Sequence, residues 1–208
     1  MTVNTTSKGE WETIWDCLID AIKRFNGGLD QKTLLQPADP AKKHGPAAGE
    51  RAIAHRLAYY LECELRKAKL ITDEGTLIVD CEYNRHGGAT KTFAVESELK
   101  EIVEAARKKK EWEPEEDGFY VFSIAPDIVV HERGHDRRNR LVVELKKASN
   151  RETPRYDALK LELFTIPRES EYGYGYSFGA WVVADDTCEP SERKLRLAGR
   201  WMEGKRIE

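Results

Sequence analysis

The segment from Ile124 to Lys147 constrains this chain more than any other, because it predicts two short strands joined by a polar turn. In each strand the side chains alternate in character, and a period of two sends neighbouring side chains to opposite faces of a sheet. Gly134 lies in the polar turn, which favours a hairpin. The apolar face contains Ile128, Val130, Leu141, Val143 and Leu145; the mixed face contains Asp127, Val129, His131, Val142, Glu144 and Lys146.

The pairing register of these two strands decides which ionisable side chains meet. Directly opposed residues of an antiparallel pair point to the same face. A register with Asp127 opposite Leu145 would put a charge into the core, so Asp127 must oppose Glu144 or Lys146. Register is strongly specified where one face is buried. Both permitted registers gather Asp127, Glu144 and Lys146 into one cluster.

Two carboxylates and a lysine on neighbouring strands suit a hard divalent cation. Mg²⁺ prefers oxygen ligands and is usually held by one or two carboxylates together with substrate phosphate and water. The metal lowers the pKa of its bound water and neutralises charge on a phosphoryl group. An adjacent lysine can orient the attacking hydroxide or stabilise the transition state. The alternative is a solvated strand face with an ordinary ion pair, because Glu-x-Lys alone is a common pattern.

The motif itself resembles that of a known family. Pro126-Asp127, followed after sixteen residues by Glu144-Leu145-Lys146, is similar to the signature of the PD-(D/E)XK nuclease superfamily, which has the restriction-endonuclease-like fold. The resemblance covers most of the chain and implies an α-β-β-β-α-β core. It also implies that Asp127 and Glu144 bind Mg²⁺, for which Mn²⁺ substitutes, and that Lys146 assists the nucleophile. The carbonyl group of Leu145 is a further candidate ligand.

Composition sets the outer limits of this interpretation. A chain of 208 residues is expected to form one domain with a sizeable core. We divide it into an N-terminal helix and loop (1–45), a core (46–185) and a C-terminal extension (186–208). The net charge of −3 argues against a protein that mainly grips nucleic acid non-specifically. It does not exclude a nuclease, because carboxylates lower the net charge and a bound metal restores positive potential.

The sequence also predicts a reduced, cytoplasmic protein without a membrane segment. No apolar run approaches the roughly 18 residues that span a bilayer, and the N-terminus lacks an apolar signal-peptide core. The four cysteines are scattered, which favours neither a zinc site nor a disulfide framework.

Two amphipathic helices are expected before the first strand, over 7–26 and 46–70, with a loop over 29–45 between them. Trp11 and Trp15 share the apolar stripe of the first helix, which either packs on the core or forms the face of a homodimer. Glu50 lies on the side of the buried stripe of the second helix. In the family that the motif resembles, a glutamate on this helix often joins the metal site. The alternative is that Glu50 complements the helix dipole.

A first core strand is expected over 75–83, where Asp80 and Glu82 are either further site carboxylates or mark an exposed strand end. A turn and a short returning strand over 91–95 follow, and then a helix over 97–110. This helical insertion departs from the simplest core of the family. An acidic loop precedes the central hairpin.

A third core helix is expected over 154–165, with Leu159, Leu163 and Ile166 on its packed side. Tyr156 and Lys160 share an edge and resemble the auxiliary polar residues of the family. Lys160 either approaches the site and the substrate phosphate or pairs with Asp157 three residues away. An aromatic-glycine loop over 171–177, a buried strand over 178–184 and a basic tail of undecided structure complete the chain.

The sequence therefore predicts an α/β fold with a mixed sheet of about four or five strands flanked by helices. The function implied by the resemblance is a Mg²⁺-dependent endonuclease that hydrolyses phosphodiester bonds of DNA. The alternative is a catalytically silent module of the same fold that binds DNA or a protein partner.

Overall fold

The computed structural model describes residues 8–36, 47–86, 89–95, 120–134, 138–150, 154–169 and 173–208. The helices are α1 Lys8–Asn26, α2 Leu29–Leu34, α3 Glu50–Lys67 and α4 Pro154–Thr165, with a 3-10 turn at Pro190–Glu192. The strands are β1 Leu77–Cys81, β2 Arg85–His86, β3 Ala89–Thr90, β4 Thr92–Val95, β5 Tyr120–Ser123, β6 Ile128–Glu132, β7 Leu141–Lys147, β8 Phe178–Ala184, β9 Leu195–Met202 and β10 Lys205–Arg206.

One mixed sheet of six strands organises the described residues, in the order β1-β6-β7-β8-β9-β10. The β7–β8 pair is parallel and the other pairs are antiparallel, so α4 is the crossover that parallel neighbours require. The prediction of a mixed sheet flanked by helices is confirmed. The predicted strand number was too low, because the C-terminal extension adds β9 and β10 to the sheet.

The register of β6 and β7 follows one of the two arrangements that the sequence allowed. Ile128 pairs with Val143 and Val130 pairs with Leu141. Continuing this register by one residue sets Asp127, which immediately precedes β6, opposite Glu144. The two carboxylates therefore start from the same face of the hairpin.

Each face of the sheet buries its own apolar cluster. One face carries the apolar residues of the central hairpin and is covered by α1 and α3. The other face is covered by α4, which contacts β7, β8 and β9. Glu144 and Lys146 belong to this second face, because they alternate with the buried residues Val143 and Leu145 of the first.

The deepest stripe of α4 differs from the predicted one. Leu159 and Leu163 are buried, as expected, and Ile166 is partly buried. The fully buried apolar residues of the helix are Leu161 and Phe164, however, and they continue the helical spacing of Asp157 and Lys160, which are also buried. The buried side of α4 therefore includes two ionisable residues that the apolar pattern alone did not identify.

Close contact between α4 and β8 depends on a glycine. A Cβ atom at Gly179 would lie 3.1 Å from Leu161 Cδ2 and 3.3 Å from Thr165 Cγ2. The missing side chain lets the second half of α4 pack closely on the start of β8.

The C-terminal extension adds the strand pair β9–β10 to the sheet. Leu195 is buried in the cluster covered by α1 and α3, whereas Trp201 is buried in the cluster covered by α4, because a register shift interrupts the alternation of β9. Glu203 and Gly204 both have positive φ, 51° and 72°. Two consecutive residues of this kind make the tight turn that joins two antiparallel strands.

Several predicted boundaries change. Helix α3 begins at Glu50 with Gly49 as its N-cap, four residues later than predicted. The predicted 29–45 loop contains α2, so that prediction was wrong for Leu29–Leu34. The returning strand is β4, and it pairs with β5, which the sequence reading did not identify. The predicted 97–110 helix and the acidic loop lie outside the described residues.

The two tryptophans of α1 have partners within the chain. The Trp11 and Trp15 rings lie 5.1 and 6.3 Å from the Phe178 ring, centroid to centroid. The Arg200 guanidinium lies 4.3 Å from the centroid of the Trp15 ring, a cation–π distance. These contacts agree with the core-packing interpretation of the stripe, and the homodimer stays a proposal.

None of the described helices combines the length and the apolar character needed to cross a membrane.

A matched pair of leucine truncations tests this arrangement. Leu141 is fully buried in the central strand, so Leu141→Ala should lower the free energy of unfolding by about 2–5 kcal/mol. Leu29 is 73% exposed, so Leu29→Ala should change it by less than about 0.5 kcal/mol. Urea unfolding followed by tryptophan fluorescence measures both. Equal losses would contradict the placement of β7 in the core.

Candidate functional site

Six ionisable side chains gather where β7 ends and where α3 and α4 begin. We call them the carboxylate–lysine cluster: Glu50, Asp127, Glu144, Lys146, Asp157 and Lys160. Electrostatic coupling joins them, since Asp127 and Asp157 each interact with Lys160 and with Glu50. Asp127 also interacts with Glu144, so Glu50, Asp127 and Glu144 are joined through Asp127. Lys146, the fourth residue with a predicted catalytic role, reaches the cluster through Asp157.

Glu144 is the most buried member of the cluster. Its side chain is 3% exposed, and its Oε2 accepts a very short hydrogen bond from Lys160 Nζ, whose side chain is 9% exposed. The other carboxylate oxygen, Oε1, is buried without a hydrogen-bond partner among the described residues. A buried polar atom without a partner is costly. Glu144 Oε1 is therefore a buried oxygen that can still accept a hydrogen bond or bind a cation.

Asp127 is held by the strand that carries Glu144. Its Oδ2 accepts a hydrogen bond of 2.6 Å from the backbone amide of Leu145. This bond fixes the carboxylate beside β7 although Asp127 lies one residue before β6. Leu145, predicted to offer its carbonyl group to a metal, thus already positions Asp127 through its N–H.

Glu50 comes to the cluster from the opposite side of the sheet. Its Oε1 accepts a hydrogen bond of 2.9 Å from the Lys147 amide and one of 3.2 Å from Asn150 Nδ2. The first turn of α3 is therefore attached to the end of β7. This partner explains how a carboxylate on the core-facing side of a helix is satisfied.

Lys160 approaches the other groups of the cluster, which is one of the two alternatives that the sequence left open. Lys160 hydrogen-bonds Glu144, across the helix–sheet interface, rather than Asp157 three residues away. Asp157 instead lies against Lys146, with 3.4 Å between its Oδ2 and Lys146 Nζ. Tyr156 is next to this arrangement, since its ring centroid is 5.9 Å from Lys160 Nζ. Sequence reasoning treated Asp157 only as an ion-pair partner and missed its place in the site.

Three carboxyl groups of the cluster have raised pKa values. Burial is the main cause for Glu144, Asp127 and Asp157, and it raises the pKa of each, with mutual repulsion adding to the effect. Lys160 opposes these shifts. Burial acts to lower the pKa of Lys160, but attraction to Glu144 and Asp127 outweighs it and raises that pKa. The lysine is therefore an ammonium ion inside the protein.

The residues of the cluster fit the expected Mg²⁺ in the chemistry of their donor atoms. Carboxylate oxygens are the ligands that Mg²⁺ prefers, and Glu144 Oε1 is an unused acceptor of this kind. Among the described residues, however, no three acidic, histidine or cysteine side chains are gathered closely enough to hold a metal as they stand. The ammonium of Lys160, rather than a third carboxylate, lies against Glu144.

Asp80 of β1 and Glu82, which follows this strand, have partners outside the cluster. Asp80 accepts hydrogen bonds from Arg133 Nε at 2.8 Å and pairs with His131 Nε2 at 3.0 Å. Glu82 pairs with Arg51 on the surface. The interpretation of Asp80 as an exposed strand end was wrong, because its side chain is 13% exposed and buried His131 lies against it.

Comparisons with known proteins do not identify the chain. It matches no protein-family model, no curated protein and no solved structure. The case for a function therefore depends on the residues and their geometry.

The Asp80 network gives a pH-dependent prediction. Burial raises the pKa of Asp80, but hydrogen bonds from His131 and Arg133 outweigh burial and lower it to about 2. A depressed carboxylate pKa stabilises the fold above the ordinary value of 3.8, and this contribution is lost as the pH falls toward 2. After solvent screening, Asp80→Asn should cost about 1 kcal/mol at pH 7 and little near pH 2.

Urea unfolding at several pH values between these limits measures this dependence. Asp73→Asn is the matched control, because that side chain is 97% exposed and pairs only with Arg66 in the described residues. A loss at Asp80 that is the same at every pH would contradict the role of the ion pair.

Proposed function

We propose that this protein is a Mg²⁺-dependent endonuclease of the PD-(D/E)XK type that hydrolyses phosphodiester bonds of DNA. The order of the central elements, α3-β1-β6-β7-α4-β8, supports the proposal, since it reads as α-β-β-β-α-β. The short strands β2–β5 stand between β1 and β6 and would be an insertion.

One observation carries the proposal: the β6–β7 register brings Asp127 beside Glu144 at the end of a buried strand. The surrounding charges strengthen the case. The carboxylate–lysine cluster contains four carboxyl groups and two ammonium groups, so its formal charge is negative when all are ionised. Repulsion between these carboxyl groups adds to burial in raising the pKa values of Glu144 and Asp157. A site of this charge attracts a small cation.

In this proposal Asp127, Glu144 and the Leu145 carbonyl group would hold Mg²⁺, or Mn²⁺ in its place, and Glu50 would complete the shell directly or through water. When bound, the metal supplies a water of lowered pKa and neutralises charge on the scissile phosphate.

The other residues of the cluster have positioning roles. The Leu145 amide fixes the rotamer of Asp127, and the Lys147 amide fixes Glu50. Lys146, oriented by Asp157, would stabilise the attacking nucleophile. Lys160 and Tyr156 are auxiliary and lie on the helix that borders the site.

Cleavage assays test the proposal directly. Purified protein is incubated with single-stranded, linear double-stranded and supercoiled DNA in the presence of Mg²⁺, Mn²⁺ or EDTA. We expect metal-dependent cleavage of at least one substrate. Asp127→Asn, Glu144→Gln and Lys146→Met should each reduce its rate at least about 100-fold, since each removes a group that acts on the transition state.

The controls keep charge and chemistry matched. Asp73→Asn and Lys67→Met remove a carboxylate and an ammonium from the exposed surface, and their rates should equal that of the parent. Circular dichroism confirms that the site variants are folded. Site variants that cleave as fast as the parent would reject the assigned roles.

A catalytically silent module that binds DNA or a protein partner is the second candidate. The pairings favour it in one respect: Lys160 lies on Glu144, and Lys146 lies against Asp157, so two of the four carboxylates already have a counter-charge within the protein. Binding of labelled DNA in EDTA, without cleavage in any metal, would favour this candidate over the nuclease.

A further inference from the structure

The ammonium of Lys160 lies where a metal-binding site needs positive charge. It donates to Glu144 Oε2, and its next strongest attraction is to Asp127. These two carboxylates are the pair that the proposed function assigns to the metal. Lys160 therefore neutralises the same two carboxylates that a bound divalent ion would neutralise.

We propose that Lys160 is a built-in counter-ion that occupies the cation position and must leave Glu144 before a divalent metal binds there. This inference rests on the proposed function for the identity of the metal ligands. It also explains a feature of the cluster: Glu144 has one oxygen committed to Lys160 and one buried oxygen without a hydrogen-bond partner among the described residues. While Lys160 stays in place, only one of the two Glu144 oxygens has a partner in the described part of the chain.

The chain offers a destination for the displaced ammonium. Lysine has a flexible four-carbon stem and a compact charge, so its head can move while its stem stays packed. The Tyr156 ring, one helical turn earlier on α4, has its centroid 5.9 Å from Lys160 Nζ and can accept a cation on its face.

Repulsion makes displacement necessary. An ammonium and a divalent ion that share one carboxylate are both positive and lie within a few ångströms, in a buried place where water screens them weakly. Both the affinity for metal and the position of Lys160 should therefore change together. The two quantities can be measured without nucleic acid and without turnover.

The first measurement is the affinity of the protein for Mn²⁺. It is determined by isothermal titration calorimetry and from the electron paramagnetic resonance signal of free Mn²⁺. Lys160→Met keeps the apolar stem and removes the charge. We expect it to bind Mn²⁺ at least about tenfold more tightly than the parent, because the internal competitor is gone. Lys67→Met is the matched control, since Lys67 Nζ pairs with Glu64 at 2.8 Å outside the cluster; its affinity should equal that of the parent.

The second measurement uses the unaltered protein and therefore does not depend on the folding of a variant. Lysines are reductively methylated at increasing Mn²⁺ concentration, and the extent of modification at Lys160 is read by peptide mass spectrometry. Lys160 should be protected without metal, because its side chain is 9% exposed. It should become modified with the same midpoint as Mn²⁺ binding, while Lys67, which is already exposed, stays unchanged.

The outcomes separate the two proposals. Tighter binding by Lys160→Met together with metal-dependent exposure of Lys160 supports the counter-ion role, even if no DNA is cleaved. Equal or weaker binding by Lys160→Met, unchanged protection of Lys160 at saturating Mn²⁺, or no binding by either protein overturns it. Metal-dependent cleavage with any of these last results would leave the nuclease proposal standing and remove only the counter-ion role.

Discussion

The pairing of Glu144 with Lys160 is the contact on which the arrangement around the site depends. A lone carboxylate on a central strand would be very costly to bury, and removing one partner of a buried ion pair is strongly destabilising. Glu144 is buried beneath α4, so its counter-charge must come from that helix. The position of α4 over β7 is thus constrained by charge as well as by the packing of Leu161 and Phe164.

Connectivity then brings the remaining groups to the same place. Because β7 and β8 are parallel, the chain must cross back over the sheet between them, and α4 makes this crossover. The helix begins near the end of β7, so its first turns deliver Tyr156, Asp157 and Lys160 together. From the other face of the sheet, α3 delivers Glu50 to the Lys147 amide. Two helices on opposite faces therefore meet at the end of one strand.

Much of this arrangement could be predicted from local patterns. Alternation in β6 and β7 limited the register to two choices, and the observed one sets Asp127 opposite Glu144. Leu195–Met202 lacks such a regular alternation, because a register shift moves its buried side chains from one face of the sheet to the other, and its structure was therefore left undecided from the sequence. The partner of Lys160 was beyond such reasoning. Spacing along a helix suggests Asp157, whereas the actual partner depends on how the helix is rotated over the sheet, which apolar spacing alone does not determine.

That rotation explains why the stripe of Asp157, Lys160, Leu161 and Phe164 is buried although α4 has leucines on other sides as well. A helix with apolar residues around most of its surface can pack in more than one orientation at similar hydrophobic gain. Only orientations that place an ammonium over Glu144 avoid the cost of an uncompensated buried charge. Charge pairing therefore selects among orientations that packing leaves nearly equal, and it does so with the residues that line the site.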